Sequence, residues 1–309
     1  KDADDRARMM LEVYRDFSEN YMAIPVILGQ KTESEKFAGA LKTYSCEAMM
    51  QDGKALQFAT SHNLGDHFAK AFGIKYLDEN NELKFGWQTS WGLSTRSIGG
   101  LIMTHSDDKG LVLPPKMAQT AVVIIPILLG KEGDEKIIEE SQKIKKTIEG
   151  LGYGCKVDQR DLRPGEKFYE WERKGVPIRI EIGPKDLLAE KIVVVRRDIG
   201  EKFDVLINKI SEEIPTLLNT IQSDLFNRAL EFQKQKTKVV DSWDDFAKEI
   251  EAGNFVLAHW DGSSETESKI KEETGATIRC IPFNREEETG ICIKTGNPSE
   301  GRVIFAKAY

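Results

Sequence analysis

Between residues 120 and 235, apolar runs of strand length alternate with longer stretches of helical period. Such alternation restricts the middle of the chain to an α/β sandwich around a mixed sheet. The pattern predicts strand 120–128, helix 133–150, strand 153–158, loop 159–174, strand 176–182, helix 184–189, strand 191–197 and a long helix over 203–235. Upstream, Pro114-Pro115 marks a boundary, because the residue before a proline avoids the helical region and two prolines in series stiffen the chain.

The flanking regions read differently. Met9, Val13, Phe17 and Tyr21 recur every fourth residue, which predicts an amphipathic helix over 4–21 with that stripe as its apolar face. Strand-like stretches at 44–50 and 55–60 flank the turn Gln51-Asp52-Gly53, and helix 64–72, strand 85–90 and helix 95–105 follow. Beyond 237, a capped helix at 242–252 and two short terminal strands suggest a small α+β unit. The expected division is 1–115, 116–236 and 237–309, in keeping with a chain of 309 residues. The first helix starts without a cap at Lys1, which suggests a piece of a longer chain.

Composition narrows the function classes. Apolar residues make up 40% and charged ones 31%, which suits a folded soluble protein. The apolar stretch 121–130 is too short to cross a bilayer, and no basic-then-apolar leader opens the chain, so a cytoplasmic protein is expected. Cys46, Cys155, Cys280 and Cys292 are scattered without a CxxC pair, which argues against a disulfide framework. A net charge of −7 opposes binding of nucleic acid by bulk attraction. Residues 156–202 differ, with twelve Lys plus Arg against ten Asp plus Glu, a balance of +2 that makes this segment the candidate RNA face.

Two segments carry candidate chemistry. In 57–65, Gln57, Thr60 and His62 lie where a strand is expected to turn into a helix with free backbone N–H groups, suited to an anion or carboxylate. The plainer reading makes Ser61 or Asn63 a helix cap and His62 a satisfied surface residue. In 88–100, Arg96 falls in the first turn of a helix, where a cation opposes the macrodipole unless an anion such as phosphate neutralises it. The alternatives are a solvated Arg96 beside Asp107 or Asp108 and a Trp91 that is simply core.

The strings KTESEKFAGA (31–40), QFATSHNLG (57–65), QTSWGLSTRSIG (88–99), GLVLPPKMA (110–118), PGEKFYEWERKGVPIRIEIGPKDL (164–187) and FAKAY (305–309) resemble, in order, the archaeal and eukaryotic-type prolyl-tRNA synthetases. The resemblance implies part of a class II antiparallel catalytic sheet, an α/β anticodon-binding domain and a small α+β C-terminal domain. By resemblance, Arg96 is the motif 3 arginine on the ATP phosphates, and Gln57 and Thr60 contact the nucleotide. Phe37, His62, Ser90, Trp91 and Gly92 shape the proline pocket. ATP with Mg²⁺, proline and tRNA(Pro) are the implied ligands, and a homodimer is expected of the full-length enzyme. Motif 1, the motif 2 Arg-x-Glu and the Thr-x-Glu loop are not found upstream of Lys31, so this chain is expected to be a C-terminal portion unable to form prolyl-adenylate alone.

The resemblance also assigns Phe168, Glu172, Arg179, Lys185 and Asp186 to the anticodon, where carboxylates accept from guanine N1 and N2 and cations donate to O6 or N7. Composition alone equally allows a self-paired network of Glu172, Arg179 and Lys185. Many relatives hold zinc through cysteines in the last region; here Asp261, Thr266 and Thr295 accompany Cys292 at those positions, and no structural zinc is expected. The other readings are a non-catalytic tRNA-binding protein and a different class II synthetase, threonyl or glycyl.

Overall fold

The computed structural model describes residues 1–130 and 132–309, and these divide into two compact units. The first comprises Lys1–Asn20, Ile24–Thr104 and Leu230–Tyr309. Its eight-stranded sheet has the order 237–239, 255–259, 302–306, 277–282, 26–30, 42–49, 55–65, 88–93. The strands of the last region thus continue the sheet of the first, through the short antiparallel pairing Gly29↔Pro282 and Gln30↔Ile281. Gly29 permits that seam, because a Cβ there would lie 2.5 Å from the Ile281 carbonyl and 2.6 Å from Cys280 Sγ.

Helix Asp2–Asp16, prolonged by a π-turn to Tyr21, crosses this sheet. The expected stripe is not the buried one: Met9 and Val13 are exposed, whereas Ala7, Leu11 and Ser18 are buried. Small residues let the helix approach closely enough for polar clamps. Tyr44 Oη donates to Asp4 Oδ1 at 2.7 Å, and Ser61 Oγ donates to the Ala7 carbonyl at 2.7 Å. A four-residue period therefore marked a helix but identified the wrong face.

The strand expected to end at Thr60 runs on to Gly65, paired on both sides with 42–49 and 88–93, and the following helix begins only at His67. The turn expected at residues 60–63 does not form. The paired ladder holds that backbone, and Ser61 and Asn63 bond to the first helix rather than capping the second.

The second unit comprises Tyr21–Ala23 and His105–Ala229. Its five-stranded sheet has the order 202–206, 191–196, 178–182, 122–126, 155–157; the last three are parallel and 191–196 is antiparallel to both its neighbours. Alternation along 122–126 sends Val122 and Ile124 into a core with Ile137, Ile144, Ile214 and Leu218, and Val123 and Ile125 into a smaller one with Phe168 and Trp171.

Two expectations fail in this unit. The loop expected at 159–174 contains helix Pro164–Arg173, since a proline in the first helical turn forfeits no intrahelical bond. The long helix expected from 203 begins at Ile210, after strand Lys202–Leu206 and a short 3₁₀ turn. Among the described residues no helix is long and apolar enough to cross a membrane.

Candidate functional site

In the first unit, strand register decides which candidate side chains meet. Thr60 lies opposite Ser45 and Gly92, and His62 opposite Thr43 and Ser90. Residues directly opposite share a face, so Thr60, His62, Ser90 and Gly92 lie on one side of the sheet. Simple alternation would send Gln57 to the other side. A bulge prevents this: Cys46 faces Ala59 but Glu47 faces Gln57, so Phe58 is skipped and Gln57 returns to the face of Thr60 and His62. Trp91 faces Ser61 and lies on the opposite side; it is exposed, 43%, and not core.

Phe37 joins the same side. Its ring lies 5.0 Å from that of His62, tilted by 41°. Its backbone N–H donates to Thr43 Oγ1 at 2.9 Å, and that hydroxyl is 3.0 Å from His62 Nδ1. Burial lowers the His62 pKa below the ordinary histidine value, which favours a neutral imidazole. Thr43 was not a candidate on sequence, because its role rests on a cross-strand partnership nineteen residues away.

Arg96 opens helix Arg96–His105, and its backbone N–H is capped by Ser94 Oγ at 3.2 Å. The guanidinium is exposed and has no hydrogen-bond or ion-pair partner among the described residues. Asp107, one neighbour weighed for it, instead holds Arg197 at 2.6 and 2.9 Å.

In the second unit, Phe168 and Glu172 stand one turn apart on helix Pro164–Arg173, and the Arg179 guanidinium lies 4.4 Å from the Phe168 ring centroid. Glu172 and Arg179 line one cavity of about 110 Å³ together with Lys109, Arg196, Arg197 and Lys202, cations that sequence reasoning did not gather. The alternative network of Glu172, Arg179 and Lys185 does not form: Arg179 pairs with Glu181 at 3.0 Å, and Glu172 with Lys109 at 3.5 Å. Lys185 and Asp186 lie beyond the next strand, on helix Pro184–Leu188. Lys185 is exposed, while the Asp186 carboxylate accepts from the Gly183 N–H at 2.9 Å and so serves its own helix.

In the last region Thr266 and Thr295, together with Asn297, converge on the Asp261 carboxylate. Asp261 Oδ2 accepts from Thr266 Oγ1 at 3.0 Å, Thr295 Oγ1 at 2.8 Å and Asn297 Nδ2 at 3.3 Å. Burial pushes the Asp261 carboxyl up, but hydrogen bonds led by Thr295 outweigh it and hold the group below the ordinary aspartate value. Among the described residues no group of His, Cys, Asp or Glu is arranged to hold a metal ion.

Residues 243–309 match the family described as Prolyl-tRNA synthetase, C-terminal, and residues 121–217 the family described as Anticodon binding domain. The whole chain is 51% identical over 310 residues to a protein of Porphyromonas gingivalis named Proline--tRNA ligase, covering 63% of that relative. It is likewise 51% identical to proteins of that name from Chloroherpeton thalassium and Salinibacter ruber, again over 100% of this chain, covering 65% and 63% of them. The chain thus spans just under two thirds of the length of these relatives, all of them bacterial.

Proposed function

We propose that this chain is the C-terminal portion of a prolyl-tRNA synthetase, contributing one side of the aminoacylation site and the anticodon-reading surface. The complete enzyme would join the proline carboxylate to the α-phosphate of ATP, release pyrophosphate, and pass the prolyl group to the 3′ end of tRNA(Pro). The observation that carries this reading is Arg96, an exposed cation in a first helical turn with no side-chain partner among the described residues, where a bound anion would relieve its opposition to the macrodipole. Thr60 supports it, facing Gly92 four residues before Arg96, with Gln57 on the same side of the sheet.

In this reading Arg96 binds the triphosphate, Gln57 and Thr60 contact the nucleotide, and Phe37 with His62, Ser90 and Gly92 encloses the proline ring and carboxylate. Trp91 would act on that pocket only from across the strand. Mg²⁺ would arrive on the ATP phosphates, and the described residues offer it no ligand cluster. The division at 115 and 236, the archaeal and eukaryotic-type signature, the cytoplasmic setting and a homodimeric full-length enzyme belong to the same proposal. Catalysis here is positioning and charge stabilisation, which requires no acid–base pair.

The chain by itself is expected to give no proline-dependent ATP–pyrophosphate exchange above background; a robust signal would remove the reading of an incomplete site. It is also expected to bind tRNA(Pro) more tightly than the same tRNA with its two anticodon guanines replaced. Glu172→Ala should erode that preference by about tenfold while weakening overall binding less, since a bidentate base contact discriminates by roughly 1–3 kcal/mol. Fluorescence anisotropy at fixed salt measures both, and equal losses on every tRNA would remove Glu172 from base reading. Asp186→Ala is a less clean probe, because it also strips the cap from its own helix.

A further inference from the structure

Thr43 is buried on the strand Lys42–Met49, directly opposite His62 in the ladder. Its hydroxyl has two partners: the Phe37 backbone N–H, which donates to it at 2.9 Å, and His62 Nδ1, 3.0 Å away. A hydroxyl has one hydrogen to give and two lone pairs to receive with. One lone pair is occupied by Phe37. Were Nδ1 protonated, the second would be filled as well, leaving the hydroxyl hydrogen buried without an acceptor among the described residues. The Thr43 hydroxyl and Nδ1 are both satisfied only when Thr43 donates to Nδ1. The proton of the neutral ring then sits on Nε2, which has no protein partner among the described residues.

We propose that Thr43 is a positioning residue: its hydroxyl fixes His62 as the Nε2–H tautomer and at the same time pins Phe37 over the imidazole, so that one buried side chain aligns a ring-packing surface with a hydrogen-bond donor. On the reading given above for this face, the donor meets the carboxylate of a bound amino acid. The depressed His62 pKa agrees, because a neutral ring keeps Nδ1 free to accept. Restraint of the surrounding backbone adds to the effect: the Leu41 N–H donates to the Asn63 carbonyl at 2.8 Å, and His67 Nδ1 lies 3.0 Å from the Gly39 carbonyl.

The test uses this chain, labelled with ¹⁵N, and follows the imidazole nitrogens of His62, assigned by their disappearance in His62→Gln. The expected result is an unprotonated Nδ1 and a protonated Nε2 at neutral pH. Thr43→Val should convert this into a tautomer mixture and reduce protection of the Phe37 amide from hydrogen exchange by about tenfold. Thr43→Ser, which keeps the hydroxyl, should restore both, excluding a general packing defect. Protonated Nδ1 in the parent chain, or a Thr43→Val spectrum identical to the parent's, would overturn the proposal. Addition of L-proline to the full-length enzyme, where both sides of the site are present, separates it from the functional reading: the stated tautomer, with Nε2 unmoved by proline, upholds Thr43's role and removes the amino-acid ligand.

Discussion

Glu47→Ala is expected to cost the first unit about 3–5 kcal/mol, because it strands two cations in the interior. Glu47 is fully buried, and the Lys31 side chain beside it is 1% exposed. Lys31 Nζ donates to Oε1 at 2.8 Å, while Arg279 donates to Oε2 through Nε at 3.0 Å and Nη2 at 2.9 Å. Lys31 also donates to the Arg279 carbonyl at 2.6 Å. This cluster stands where strands 26–30 and 277–282 share only a short register, so ionic contacts hold a seam that the ladder hardly spans. Removal of the carboxylate leaves Lys31 and Arg279 repelling each other in a low-dielectric site, while their own desolvation cost remains.

The size of that loss measures an uncompensated charge, not the net worth of the cluster. A triple replacement, Lys31→Met with Glu47→Leu and Arg279→Met, is therefore expected to recover most of the deficit, since a well-packed apolar substitute for a buried ion cluster is often neutral or better. The three sites share contacts, so their separate effects will not add. Urea unfolding followed by tryptophan fluorescence tests this through the midpoint at unchanged slope. A Glu47→Ala loss below about 1 kcal/mol would mean that water reaches the cluster and that the seam is held otherwise.

That seam also shows where sequence reading stops. The alternation in the middle of the chain made strands 122–126, 178–182 and 191–196 and helix 134–150 legible, because each signal is local and periodic. Helix 164–173 fell inside the expected loop 159–174, although Pro164 suits the first helical turn. Strand 202–206 was absorbed into the helix after it, despite the alternation of Phe203 and Val205. Helix Ser264–Thr274 was overlooked, although Ser263 caps it by accepting from the Thr266 N–H. The union of the first and last regions in one sheet carried no local signal: it depends on Gly29 and on ion pairs between residues over two hundred positions apart.

The candidate site divides along the same line. Phe37 and His62 came from recognisable strings, and they do meet. Thr43 lay in no string, and Gln57 reaches its face only through the skipped Phe58, a bulge with no evident sequence mark. Trp91, placed with Ser90 and Gly92 by the resemblance, parts from them because successive strand residues point opposite ways.

Acid is expected to weaken the second unit through His105, with a loss of roughly 3 kcal/mol between neutral pH and about pH 4. His105 is buried, and its Nε2 donates to the Met22 carbonyl at 2.9 Å. Burial drives its pKa from the ordinary 6.5 down to about 4, with the Arg228 charge adding to the shift and the backbone hydrogen bonds opposing it. In the unfolded chain the imidazole takes up a proton near pH 6.5, whereas in the folded unit it resists protonation until about pH 4. The unfolded state therefore binds more protons across that window. Stability is complete above the unfolded pKa, falls as pH drops through the window, and has lost the whole contribution below the folded pKa. Asp107 and Asp158 also favour the folded state at neutral pH, held below the usual aspartate range by Arg197 and Arg160, but they remain in both partners of the comparison that isolates the histidine. His105→Gln retains a donor for the Met22 carbonyl and cannot titrate, so the parent's stability relative to this variant should fall by roughly 3 kcal/mol between pH 7 and about pH 4. Urea midpoints of both proteins across this range give the difference directly, and parallel profiles would show that His105 protonates as readily in the folded unit as in the unfolded chain.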